Sequence, residues 1–289
     1  MTTQVALIDT TGHIDPTLVQ DAVVALNSQA TSDLPSCWPG ISATVVYLSS
    51  VQNLGPNIWP VFLVAKLPPG EGGFHQDNNN QPYAKVIATP EDPTWTVDAS
   101  HEIVEMLVDP YGNKMQTSTA ITISGNGVQD TSGQFQYLVE AADPCEANDY
   151  AYQIQGIAVS DFITPNFYDA EVAPGVKYSF RGNIKQPRQL LPGGYISYID
   201  IAANEWKQIL WVDPSQAPQY NDLGPAGTQA ATQGYRQWVH ERMAKTGHAG
   251  QMDKARTVEG LRSGVREAMD SHRKTRKYMA DRHAGRYHL

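Results

Sequence analysis

Cysteine is nearly absent from this chain of 289 residues, which holds only Cys37 and Cys145. No Cys-x-x-Cys pair exists, so thiolate zinc sites and thioredoxin-type redox chemistry are poorly supported, and two buried thiols fit better than a disulfide. Long apolar runs are missing too, with mean hydropathy at −0.40, so no membrane span is expected. The start, Met1-Thr2-Thr3-Gln4 before Val5-Ala6-Leu7-Ile8, lacks the basic region and long apolar stretch of a secretory signal. The expected setting is cytoplasmic, virion-associated or reached by non-classical export. No Gly-x-Ser-x-Gly elbow is present, which weakens a serine hydrolase reading. The glycines of Gly70-Glu71-Gly72-Gly73 lack a following Lys-Ser/Thr, so phosphate binding is not expected.

Positive charge is the scarcity that matters most. The net charge is −9, but from Arg236 onward there are 13 Lys/Arg against 6 Asp/Glu, a local charge of +7. The preceding 235 residues hold 8 basic and 24 acidic groups, giving −16. An acidic body carries a basic tail.

The length suits one large domain or two modest ones with a real hydrophobic core. Residues 5–8 read as a strand, and Asp15-Pro16 opens a helix with a capping carboxylate and proline at the first helical position. Apolar Val19, Ala22, Val23 and Leu26 then recur at helical spacing. Residues 42–48, 61–65 and 83–88 are β-branched strands, the polar stretch 68–82 reads as a loop, and a second helix begins near 94–98. The order is β-α-β-β-β-α. Beyond Pro110 come short alternating runs at 120–124, 135–139, 150–159, 176–180 and 195–201, which predict a β-rich half. Residues 214–232, rich in Pro, Gly, Gln and Ala, read as a linker. Helices at 237–243 and 258–279 are too poor in apolar residues to be placed in the core.

Chemistry concentrates in Asp98-Ala99-Ser100-His101-Glu102-Ile103-Val104-Glu105-Met106-Leu107-Val108-Asp109. At about 100° per residue, with His101 at zero, Glu105 falls near 40°, Asp98 near 60°, Asp109 near 80° and Glu102 near 100°. Ile103, Val104, Leu107 and Val108 fill the opposite arc. A solvated acidic face is the simplest account of such a helix. Yet no Lys or Arg occurs between Lys85 and Lys114, and like charges at i and i+4 repel. A cation is missing, and a divalent metal would supply it. His101 and Glu105, one turn apart, would be two of its ligands, and Glu102 stands where a general base would take a proton from water.

This segment resembles the active-site helix of zincin metallopeptidases, whose His-Glu-x-x-His becomes His-Glu-x-x-Glu in His101 to Glu105. The resemblance covers residues 5–109. Joined to the pattern of the rest of the chain, it gives the expected α+β fold: a zincin-like metal-binding subdomain (1–115), a β-rich subdomain completing the site (116–213), a linker (214–235) and a basic helical or disordered tail (236–289). It also implies that the edge strand beside the active helix, here residues 83–88, binds the backbone of a peptide or protein substrate. Zn2+ is the implied cofactor, although the harder His/Glu pair admits other divalent metals such as manganese or calcium. A third ligand is expected downstream, where Glu140, Asp143 and Glu146 follow an apolar strand; Asp143 is favoured, then Glu140. His75 reads as an exposed loop histidine, with an outside chance of joining the metal.

The expected function is a zinc-dependent metallopeptidase-like hydrolase with Glu102 activating water. The alternative is a non-catalytic structural or interaction protein, such as a phage or secretion-particle component, with a metal-stabilised acidic helix. The basic tail would contact nucleic acid or an acidic partner, or fold back on the acidic body.

Overall fold

The computed structural model describes residues 3–55, 57–68, 71–227 and 234–246. The fold is mixed α+β, and its first half is built on a five-stranded sheet. Strands β1 (Thr3–Asp9), β2 (Ala43–Tyr47), β3 (Ile58–Val64), β4 (Gly73–Asn78) and β5 (Gln81–Ile87) assemble in the order β2-β1-β3-β5-β4. All pairings are parallel except β4 with β5. Helix α1 (Pro16–Ser28) starts as expected, with Asp15 accepting from the Thr17 N–H and proline in the first turn, and buries Val19, Ala22, Ala25 and Leu26. A π-turn at Gln29–Asp33 leads into the short α2 (Leu34–Cys37).

The stretch expected as a loop, 68–82, contains β4. Its polar composition hides a hairpin in which Asn79 and Asn80 take φ of 52° and 64°, the left-handed pair that a two-residue hairpin turn requires and that asparagine tolerates. The sheet therefore ends at β4, one strand outside the residues 83–88 expected at its edge.

Helix α3 (Trp95–Val108) crosses this sheet, and all of its residues except Asp98 are buried. Its polar residues find partners on both sides. Ser100 Oγ donates to Gln29 Oε1 at 2.8 Å and accepts from the Ser160 N–H at 2.8 Å, fastening α3 to the π-turn and to the second half of the chain.

That second half contains β6 (Met115–Ile123), β7 (Val128–Leu138), the small hairpin β8 (Tyr152–Ile154) and β9 (Ile157–Val159), and β10 (Tyr195–Asp200), β11 (Glu205–Leu210) and β12 (Gln219–Pro225). The larger sheet is antiparallel, in the order β12-β11-β10-β7-β6. Residues 176–180, read as a strand, contribute a single bridge from Ser179 to Ile163. This region is held instead by buried Asp161, which accepts from the Phe162 and Arg181 N–H groups, Ser179 Oγ and Asn183 Nδ2 at 2.9 Å each. Both cysteines are free, Cys145 buried and Cys37 half-buried.

Two further elements lie where a linker and a tail were expected. β12 pairs with β11 inside the Pro- and Gly-rich stretch, and α4 (Tyr235–Thr246) packs Trp238, Val239 and Met243 against Leu138, Trp206, Leu210 and Leu223. The apolar residues of α4 are few, but they sit at 235, 238, 239 and 243, one stripe on a helix, so the segment belongs to the core. The expected helix at 258–279, the run Arg273 to Lys277 and the proposed nucleic-acid contacts of the tail lie outside the described residues. No described helix is long and apolar enough to cross a membrane.

Candidate metal centre

Three backbone segments converge on the polar face of α3: β4 from one side, the turn at 139–146 after β7 from another, and the first turn of α4 from above. Two glycines permit the approach. A Cβ on Gly73 would lie 2.9 Å from Glu102 Oε1, and one on Gly194 would lie 2.6 Å from the Asp143 carbonyl oxygen.

The result is a buried cluster. His101 Nε2 lies 3.2 Å from Glu105 Oε2 and 3.2 Å from Asp143 Oδ1. The other oxygen of Glu105 accepts from the Ala142 and Asp143 N–H groups at 3.1 and 3.3 Å, which locks the turn onto α3. Among the described residues, Asp143 Oδ2 and Glu140 Oε1 have no hydrogen-bond partner, and Asp143 Oδ1 meets only His101 Nε2. Buried carboxylate oxygens are ordinarily satisfied, because leaving them unpaired costs several kcal/mol.

A cation is present, but it comes from far along the chain. Arg236 donates through Nε to Glu140 Oε2 at 2.8 Å and through Nη2 to Glu105 Oε2 at 2.9 Å and Glu102 Oε2 at 3.3 Å. Its Nη1 donates to the His75 carbonyl at 3.0 Å. His75, expected on an exposed loop, is wholly buried on β4. Its Nδ1 lies 3.4 Å from Glu102 Oε2 and 3.6 Å from Glu105 Oε2.

Electrostatics follow from this crowding. Burial opposes charge on Glu105, but His101 and then Arg236 outweigh it and hold the carboxyl well below its ordinary range. Glu102 is likewise lowered against its burial, by Arg236 and His75. Burial and the neighbouring Glu105 push Asp143 up to about 7. The His101 imidazole is raised well above its usual range, since Glu105 and Asp143 overcome the cost of burial. One guanidinium thus meets three buried carboxylates, Glu102, Glu105 and Glu140, while Asp143 meets His101.

The expected site residues separate into two roles. His101, Glu105 and Asp143 present ligand atoms within 4.8 Å of one another, as a metal site requires. Glu140 instead pairs with Arg236, and Glu102 lies between His75 and Arg236. The remaining acids of the helix are elsewhere: Asp109 accepts from the Asn113 and Lys114 N–H groups, and Asp98 is outside the cluster. A shallow cleft lined by Glu140, Asp143, Tyr195, Arg236, His240 and Met243 among others reaches the cluster beside α4. Arg236 is the residue of the cluster that sequence reasoning missed, and His75 entered it only as an outsider. The deficit of positive charge around α3 signalled a missing cation, and the apolar stripe of α4 was the available sign that Arg236 is docked.

No family model matches this chain, and neither curated proteins nor solved structures give a match.

Proposed function

We propose that the chain is a metal-dependent, peptidase-like hydrolase, with His101, Glu105 and Asp143 holding one divalent ion. The observation that carries this reading is Asp143: a buried carboxylate whose Oδ2 has no hydrogen-bond partner among the described residues and whose Oδ1 meets only His101 Nε2, at 3.2 Å. The donor set of one imidazole and two carboxylates fits zinc and admits manganese. Such an ion, when bound, polarises a carbonyl and acidifies water.

The chain's own residues have distinct tasks in this reading. The Ala142 and Asp143 amides fix Glu105, so the ligand is oriented before any ion arrives. Glu102, next to His101 on the same helix, is the group to accept a proton from water. Arg236 sets how basic Glu102 is, since its guanidinium lowers the carboxyl. β4, the antiparallel edge of the first sheet beside α3, offers its outer face for an extended substrate backbone, the role that the zincin resemblance gives to an edge strand.

Hydrolysis of a peptide library by the purified protein, with metal content measured alongside, is the direct test. Glu102→Gln should lower the rate about 100- to 10,000-fold while metal stays bound. A second reading has its own support, because Arg236 already ties Glu102, Glu105 and Glu140 together. The cluster then acts as a metal-stabilised strut in a structural or interaction protein. Retained metal with no cleavage by the wild-type chain favours that alternative.

A further inference from the structure

We infer that Arg236 occupies a second divalent-cation position, formed by His75, Glu102 and Glu105, which shares Glu105 with the position on His101, Glu105 and Asp143. The inference rests on the metal reading above and adds a second ion to it.

His75 has the geometry of a metal-binding histidine. Its Nε2 lies 3.3 Å from the Asp109 carbonyl oxygen, which orients the ring. A backbone carbonyl fixing one ring nitrogen is the usual outer support of a ligating imidazole. The other nitrogen, Nδ1, faces Glu102 Oε2 at 3.4 Å and Glu105 Oε2 at 3.6 Å, and gives up the proton it shares with Glu102 when it ligates an ion. Two buried carboxylate oxygens this close together call for a cation between them. All three ligand atoms are buried and lie within 4.8 Å of one another.

A cation does stand there. Arg236 Nη2 contacts the same two oxygens, at 3.3 and 2.9 Å, and Nε holds Glu140 close by. Glu105 Oε2 faces both groups: His101 at 3.2 Å on one side, and Arg236 at 2.9 Å and His75 at 3.6 Å on the other. This is the arrangement of a carboxylate bridging two cations, with a guanidinium as one of them. A guanidinium is a single, side-chain-borne charge, so removing or lifting it leaves His75, Glu102 and Glu105 free to take an ion. Docking of α4 thereby sets whether the centre carries one ion or two.

The test is metal stoichiometry by elemental analysis of the full chain, dialysed against zinc or manganese chloride. Wild type should hold one ion per chain, Arg236→Met two, and Arg236→Lys one, because lysine keeps a charge at that point. Adding His75→Ala to Arg236→Met should return the count to one. If Arg236→Met still holds one ion, the second position does not exist, while the first stands. If wild type holds none and Arg236→Met holds one that His75→Ala abolishes, the second position stands and the first falls. Should Arg236→Met fail to fold alone, refolding with metal decides the matter: recovery with two ions per chain upholds the inference, and no recovery overturns it.

Discussion

Asp161 and Asp143 show how differently two buried aspartates can be used. Asp161 receives four donors at 2.9 Å and so serves the fold. Asp143 meets only His101 Nε2, at 3.2 Å from Oδ1, and its Oδ2 has no partner among the described residues, so it can turn to a ligand. Asp161→Ala should therefore cost about 2–4 kcal/mol, since four buried donors lose their acceptor, and should leave metal content unchanged. Urea unfolding together with elemental analysis checks both halves. The meeting of His101, Glu102, Glu105 and Asp143 was legible because helical spacing puts the first three on one arc and because acids following an apolar strand reach back to it. His75 was not legible, since nothing local marks a histidine among Gly, Gln, Asp and Asn as buried; only the pairing of β4 with β5 carries it inside.

At the scale of elements, α4 is the feature that composition concealed. A window average over the basic tail is dominated by charge, whereas docking needs only Trp238, Val239 and Met243 on one stripe and a partner for Arg236. Each of those apolar side chains is worth about 1.5–3 kcal/mol when buried. Ending the chain after Thr232, within the stretch read from the sequence as a linker, should lower thermal stability severely, because it also strips the buried carboxylates of their guanidinium. Ending it after Thr246 keeps every contact of α4. Circular dichroism melts of the two truncations should separate them by well over ten degrees. A finer probe is Gly112, which has φ of 60° and whose added Cβ would lie 2.8 Å from Arg236 Cβ. Gly112→Ala should cost about 1–3 kcal/mol through backbone strain and a loosened α4, and a chemical denaturation curve measures it.

Across the whole molecule the cluster sits where the two sheets meet, with ligand atoms from α3 and from the turn following β7, and with α4 bridging the rest. On the proposed function, a metal held there would tie the halves together and stabilise only the folded chain. At an ion concentration of about 100 to 1,000 times Kd, this adds roughly 2.7–4.1 kcal/mol. A chelator should therefore lower the melting temperature by about 5–15 °C for a body of this size, and excess zinc should restore it. Scanning calorimetry with and without chelator gives the answer, and an unchanged transition would sink the metal reading.

The sequence by itself determined the periodicities: the strand-helix order of the first half, the acidic arc of α3, the alternating runs behind it and the absence of a local cation. These are properties of neighbours in the chain, set by the 3.6- and 2-residue repeats. Tertiary structure decided which charges meet. Arg236 lies 131 residues from Glu105 and 134 from Glu102, and no local pattern encodes a pairing across such a distance. It is fixed by the burial of the α4 stripe on the second sheet, which brings the guanidinium to carboxylates that must otherwise remain uncompensated.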